Sequence, residues 1–203
     1  DANGTAVGSE FGVNSTTSNG QINNSAASLS NGGFVVSWAS DQQDGDGYGI
    51  YAQVYDSGGS AYGSEFQVSA STSGNQITPD VTSLTGGGFM VAWNTEHQES
   101  NRDIYGQIFD NSGVKVGSEF GIATLSDSSQ DDPSVASMSD GGFGISWVRE
   151  SGAEINMEIF DGSYSTLADG RDGGTSFPEP YAQVSPDGFG GLDNPDMIGV
   201  SDS

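Results

Sequence analysis

The sequence predicts an all-β repeat protein, most simply a small β-propeller of four-stranded blades, about four-bladed or incomplete. Three observations carry that expectation. A strand-like phrase is written three times: GGFVVSW at Gly32–Trp38, GGFMVAW at Gly87–Trp93 and GGFGISW at Gly141–Trp147. Other anchors keep fixed distances from it, which random low-complexity sequence would not do. Glycine is abundant at 32 residues, as many tight turns between short strands require.

Each repeat opens with GSEF, at Gly8–Phe11, Gly63–Phe66 and Gly117–Phe120. Eleven residues after the Glu comes a glutamine: Gln21, Gln76 and Gln130. Seventeen residues later comes the tryptophan: Trp38, Trp93 and Trp147. The last anchor reads YAQVYD at Tyr51–Asp56, YGQIFD at Tyr105–Asp110 and NMEIFD at Asn156–Asp161. From Trp to the final Asp the interval drifts through 18, 17 and 14 residues, so a surface loop lies between.

Four strand candidates result per unit: EFGV-like, AASL-like, GGFVVSW-like and IYAQVYD-like. In the third, Phe34, Val36 and Trp38 alternate with Val35 and Ser37, the period-2 mark of a strand. The opposite face is smaller but uncharged, so both faces are expected to be covered by neighbouring sheets. Four strands in roughly 54 residues, repeated, is the pattern of propeller blades. The units span about 8–62, 63–116 and 117–161 of a single repeat domain over 1–203. Residues 162–203 read as a divergent partial fourth unit or a tail. Within them PEPYAQVSPDGF loosely resembles DDPSVASMSDGGF at Asp131–Phe143. A four-bladed ring, a larger ring completed by missing sequence or a second subunit, a β-sandwich and a stacked solenoid all remain open.

Composition narrows the function. Hydrophobic residues are only 33% and the net charge is −24, which favours disorder. The 10 Phe, 7 Tyr and 3 Trp at recurring positions argue for a fold instead. One lysine (Lys115) and three arginines (Arg102, Arg149, Arg171) leave a surface that repels phosphate backbones and anionic membranes. Neither nucleic acid nor membrane insertion is expected, and no 18-residue apolar run exists. Without cysteine, no disulfide staples the fold. The opening DANGTAVGSE lacks a signal pattern, so either a leader has been removed or the chain is a piece of something longer.

The order GGFVVSW…DGDGYGIYAQVYD…GSEFQV resembles the β repeats of large secreted bacterial RTX-like adhesins and calcium-binding exoproteins. The resemblance covers most of residues 8–161. It implies an extracellular or cell-surface bacterial protein with calcium as a ligand. The glycine-aspartate nonapeptide tandem of those proteins is absent, GFGGLDNPD at Gly188–Asp196 being one degenerate fragment.

The best metal candidate is the loop DQQDGDGYG, where Asp41, Asp44 and Asp46 lie close in sequence and Gly45 and Gly47 let carbonyls join. Calcium takes six to eight such oxygens. A solvated acidic hairpin loop with Asp-Gly turns is the plainer reading. The second copy, Asn94–Asp103, keeps Glu96, Glu99 and Asp103; the third, Arg149–Ile155, keeps Glu150 and Glu154. Asp56, Asp110 and Asp161 are expected to cap turns, and Glu10, Glu65 and Glu119 to serve the repeat. The tryptophans are expected in the core rather than stacked on sugars. Tyr48, Tyr51, Tyr55 and Tyr105 are the residues a sugar site would lean on. His97, the only histidine, sits in a variable polar loop and is not expected to be catalytic.

These readings point to a non-catalytic extracellular structural or adhesive module, calcium-stabilised and self-associating into a homo-oligomer or filament. A carbohydrate-binding propeller is the alternative, with a polysaccharide-active enzyme domain behind it.

Overall fold

The computed structural model describes residue 6 and residues 8–96, 101–123, 128–149 and 154–160. The remainder, including His97, Glu99, Glu150, Asp161 and the expected fourth unit, lies outside the described residues. Among those described, every element is a strand: β1 Gln21–Ser28, β2 Phe34–Asp41, β3 Tyr48–Tyr55, β4 Ala61–Gln67, β5 Gln76–Ser83, β6 Phe89–Glu96, β7 Arg102–Phe109, β8 Lys115–Ala123, β9 Gln130–Ser137, β10 Phe143–Arg149 and β11 Glu154–Phe160. All neighbours pair antiparallel. They form three sheets: β1-β2-β3-β4 (sheet 1), β5-β6-β7-β8 (sheet 2) and β9-β10-β11 (sheet 3).

The GSEF stretch does not open a sheet. Phe66 stands opposite Ala52 and Phe120 opposite Gly106, so these two GSEF stretches lie in the last strand of the sheet before them, while residues 8–11 join no sheet. Sheets and sequence units are therefore out of phase by one strand.

The GGF phrase has two separate causes. The first glycine of each pair takes φ of 87° at Gly32, 97° at Gly87 and 98° at Gly141, a left-handed turn that favours glycine. A Cβ on the second would strike a carbonyl oxygen of the partner strand: Tyr55 from Gly33, Phe109 from Gly88, Phe160 from Gly142. The turn repeats in its bonds as well. Leu29, Leu84 and Met138 each donate N–H to the second glycine's carbonyl, at 2.8, 3.0 and 2.8 Å.

The constant Gln-to-Trp interval brings amide and indole into a hydrogen bond in sheet 3, whereas Gln21 Oε1, Gln76 Oε1 and Trp38 Nε1 are buried without a partner. In sheet 3 the Trp147 indole Nε1–H donates to Gln130 Oε1 at 2.7 Å, an otherwise costly buried donor satisfied. The other end of each glutamine is held by its own chain. Gln21, Gln76 and Gln130 donate to the carbonyls of Ser18, Ser73 and Ser128 at 3.3, 3.0 and 3.1 Å.

Alternation splits each sheet into a Trp face and an Ile face. The Ile face of sheet 1 (Val35, Ala39, Ile50, Val54) packs on the Trp face of sheet 2 (Phe89, Val91, Trp93, Phe109). The Ile face of sheet 2 (Met90, Ala92, Ile104, Ile108) packs on Phe143, Ile145, Trp147 and Phe160 of sheet 3. The core is thus two apolar layers between three stacked sheets. Ring pairs recur in step: Phe34 on Tyr55, Phe89 on Phe109 and Phe143 on Phe160, at 4.9, 5.0 and 4.9 Å. The first strands gather along one side, with β5 packed between β1 and β9.

Candidate functional site

The 41–49 loop joins β2 to β3. Gln42, Gly45 and Gly47 hold φ of 61°, 104° and 61°, and Gln42 N–H donates to the Gly47 carbonyl at 2.6 Å. This curl turns the three aspartates to different partners. Asp41 closes β2 opposite Tyr48. Asp44 accepts from Asp46 N–H at 3.3 Å and, through its other oxygen, from Gln67 Nε2 at 3.3 Å. Asp46 reaches across to sheet 2 and accepts from Gly74 N–H at 3.2 Å. Burial raises the Asp44 carboxyl above its ordinary value and the charge of Asp46 adds to this, against backbone hydrogen bonds that lower it. Among the described residues no three Asp, Glu, His or Cys side chains form a group able to hold a metal. As it stands, the loop is a clamp between sheets 1 and 2, reinforced by Tyr48 N–H donating to Asn75 Oδ1 at 3.2 Å.

The second copy of this loop also bridges sheets. Arg102 on β7 donates to Asp131 on β9 at 2.6 Å and lies 3.9 Å from Glu96.

Asp56, Asp110, Glu65 and Glu119 serve the repeat as expected. Asp56 Oδ1 caps its turn by accepting from Gly58 and Ser60 N–H at 2.8 and 2.9 Å. Asp110 does the same for Ser112 and Val114 at 2.7 and 3.0 Å. Glu65 accepts from Ser15 N–H at 2.7 Å, and Glu119 from Ala70 N–H at 2.6 Å. The tryptophans lie in the core, with Trp93 fully enclosed. One expectation fails: Tyr51 and Tyr55 are only 7% and 4% exposed. Both sit on the Trp face of sheet 1, where Phe11 and Val13 cover Tyr55, its hydroxyl donating to the Val13 carbonyl at 3.2 Å. Neither offers a face to a sugar.

An open cleft of about 380 Å³ lies where the three first strands converge, lined by Asn23, Ser25, Thr78, Asp80, Asp132 and Ser134 among others. Asn23, Thr78 and Asp132 occupy the same place in each unit, two residues after the repeat glutamine, and hold φ of 54°, 49° and 49°. At that point the pairing of β1 and β5 slips, between Ile22/Ser25 and Ile77/Asp80. On β10 it slips opposite Asp132, between Ser146/Val148. A β-branched residue held left-handed costs on the order of 1–3 kcal/mol, so the bulge at Thr78 is imposed by its surroundings. Asp80 ties the strands together there. It accepts from the Ser25 hydroxyl at 2.7 Å and from Val135 N–H at 2.8 Å.

This cleft was not found from the sequence. Its one available signal was the pair Thr78-Pro79 and Asp132-Pro133 at matching positions, since proline inside a strand marks a bulge. Its rim of amide, hydroxyl and carboxylate groups can hydrogen-bond a polyol. No protein-family model and no curated protein matches the chain.

Proposed function

We propose that the chain is a non-catalytic structural or adhesive module of an extracellular or cell-surface bacterial protein, a propeller-type stack of sheets that works by binding and assembly. One observation carries this reading: residues that recur from unit to unit are consumed in building each sheet and tying it to the next. Glu65 and Glu119 bind the backbone of the neighbouring unit, and the second glycine of GGF admits the partner-strand carbonyl within its own sheet. Calcium enters through the 41–49 loop, where a cation would draw Asp44 and Asp46 away from Gln67 and Gly74. Melting with chelator and with millimolar calcium tests it, and identical curves remove calcium from the proposal.

A second reading, carbohydrate binding, is favoured by the polar cleft at Asn23, Thr78 and Asp132. A glycan array together with an assay for reducing ends released from polysaccharides decides between the readings. The structural module is silent in both. Glycan binding that Asp132→Ala abolishes would replace it with a lectin, and polysaccharide turnover would replace it with an enzyme.

A further inference from the structure

Residues 8–13 belong to none of the three sheets, yet they have the shape of a fourth strand. Gly8 holds φ of 88°, against 72° at Gly63 in β4 and 70° at Gly117 in β8. Phe11 meets Tyr55 of sheet 1 at 5.5 Å, as Phe66 meets Phe109 of sheet 2 at 5.4 Å and Phe120 meets Phe160 of sheet 3 at 6.3 Å. Ser15 N–H donates to Glu65 just as Ala70 N–H donates to Glu119, at 2.7 and 2.6 Å. The segment therefore stands where the last strand of another sheet, stacked on the Trp face of sheet 1, would stand.

That face is incompletely covered. Phe34 and Val36 are half-buried, whereas their counterparts Phe89, Val91, Phe143 and Ile145 are all fully enclosed. At the far end the Ile face of sheet 3 is open at Ile155 and Met157, while Val148 and Ile159 are half-buried. Ile155 is 75% exposed, whereas Ile50 and Ile104, at the same register position, are 0% exposed. Among the described residues β11 pairs on one side only, with β10.

We infer that the Ile face of sheet 3 seats on the Trp face of sheet 1 in a second copy of this chain, whose residues 8–13 add a fourth strand to β11. This rests on the stacked-module reading above and specifies its contact. The contact continues one the chain makes twice within itself, Ile face on Trp face, and needs no new surface. Phe66 lies opposite Ala52 and Phe120 opposite Gly106, so the incoming Phe11 lies opposite Met157. A second copy is favoured over residues 161–203 of the same chain. Those residues hold none of the three tryptophans and carry Pro178, Pro180, Pro186 and Pro195, so the GGF-to-Trp strand is not written there. The contact is head-to-tail, and such contacts either close into rings or run on as filaments.

The test uses the full chain, which has no cysteine. Phe11→Cys with Met157→Cys places two thiols on cross-strand partners, about 4.5–5.5 Å apart at Cβ. Mild oxidation should give covalent species at twice the 20.8 kDa chain mass or higher multiples. A disulfide closed within one chain, or none at all, overturns the contact. Ile155→Asp gives the non-covalent check, because the residue is exposed in the single chain and the variant folds. Native particles should fall to one chain mass with tryptophan emission unchanged; an unchanged particle mass overturns the proposal. A monomer silent on glycans and polysaccharides loses this contact and keeps the structural reading. An assembly that binds or cleaves glycans keeps the contact and loses the reading.

Discussion

Sheet 2 and sheet 3 carry nearly the same strands in different company. Ile104 and Ile155 are one residue type at one register position, yet the first is sealed between sheets and the second is open. What differs is the neighbour. A sheet of this protein cannot bury its own Ile face; only the next sheet can do so. Burying such a side chain contributes about 1.5–3 kcal/mol, so stability here belongs to the interfaces.

Ile104→Asp against Ile155→Asp tests that difference most harshly. A carboxylate at position 104 would lie unpaired between two sheets and should abolish folding. At position 155 it should change the unfolding free energy of the single chain by less than about 0.5 kcal/mol. Urea titration followed by tryptophan emission reads both. Equal losses would mean that the face of sheet 3 is covered in the single chain. Trp93→Ala, in the middle sheet, should cost about 3–5 kcal/mol. Trp147→Ala should cost less, since Trp147 is 9% exposed where Trp93 is fully enclosed.

Gly88→Ala sharpens the comparison at the turn. The new methyl group would meet the Phe109 carbonyl, at a left-handed φ of 83°. A loss of about 2 kcal/mol or more is expected, read as a lower urea midpoint at constant slope.

A smaller effect should follow at position 158. Gln53 and Gln107 donate to fourth-strand carbonyls, at Tyr62 and Val116, each at 3.2 Å. Glu158 takes the corresponding position in sheet 3, across from Ile145 as Gln107 is from Val91. A carboxylate cannot donate, so Glu158→Gln should raise the assembled fraction at a given concentration, measured by sedimentation. A lower fraction would count against strand addition to β11.

The smallest effect is a pH dependence in the 41–49 loop. Burial raises the Asp44 carboxyl above 3.8, so the folded state binds its proton more tightly than the unfolded chain does. Its contribution is favourable below the unfolded value and is lost as pH rises through the raised one. Asp44→Asn removes that loss. The variant's stability relative to the parent should therefore climb as pH goes from below 4 to 7 without calcium. A flat difference would show that Asp44 is not buried in solution.

Much of this architecture was legible in the sequence because alternation and spacing report local geometry. Phe34, Val36 and Trp38 do share a face, across from Tyr55, Gln53 and Tyr51, and the second and third units repeat it. Pairing across distance was not legible. GSEF looks like the start of a unit because it precedes the other anchors, but hydrogen bonds assign it to the sheet before. The fixed glutamine–tryptophan interval was visible, but not that of the three pairs only Gln130 and Trp147 bond across it. Asp41, Asp44 and Asp46 are close in sequence, but their hydrogen-bond partners were not legible: Asp44 accepts from Gln67 and Asp46 from Gly74. The tyrosines were misjudged for a related reason. Alternation assigns Tyr51 and Tyr55 to the Trp face, but only the fold brings residues 8–13 across to cover Tyr55.

The one-strand offset between units and sheets has a mechanical meaning. A cut between two units severs a hydrogen-bonded ladder rather than a linker, so a single excised unit would carry one spare strand and lack another. Tension along the chain meets the same arrangement: no unit can be drawn out until a strand has been stripped from its neighbour, and the load passes from sheet to sheet.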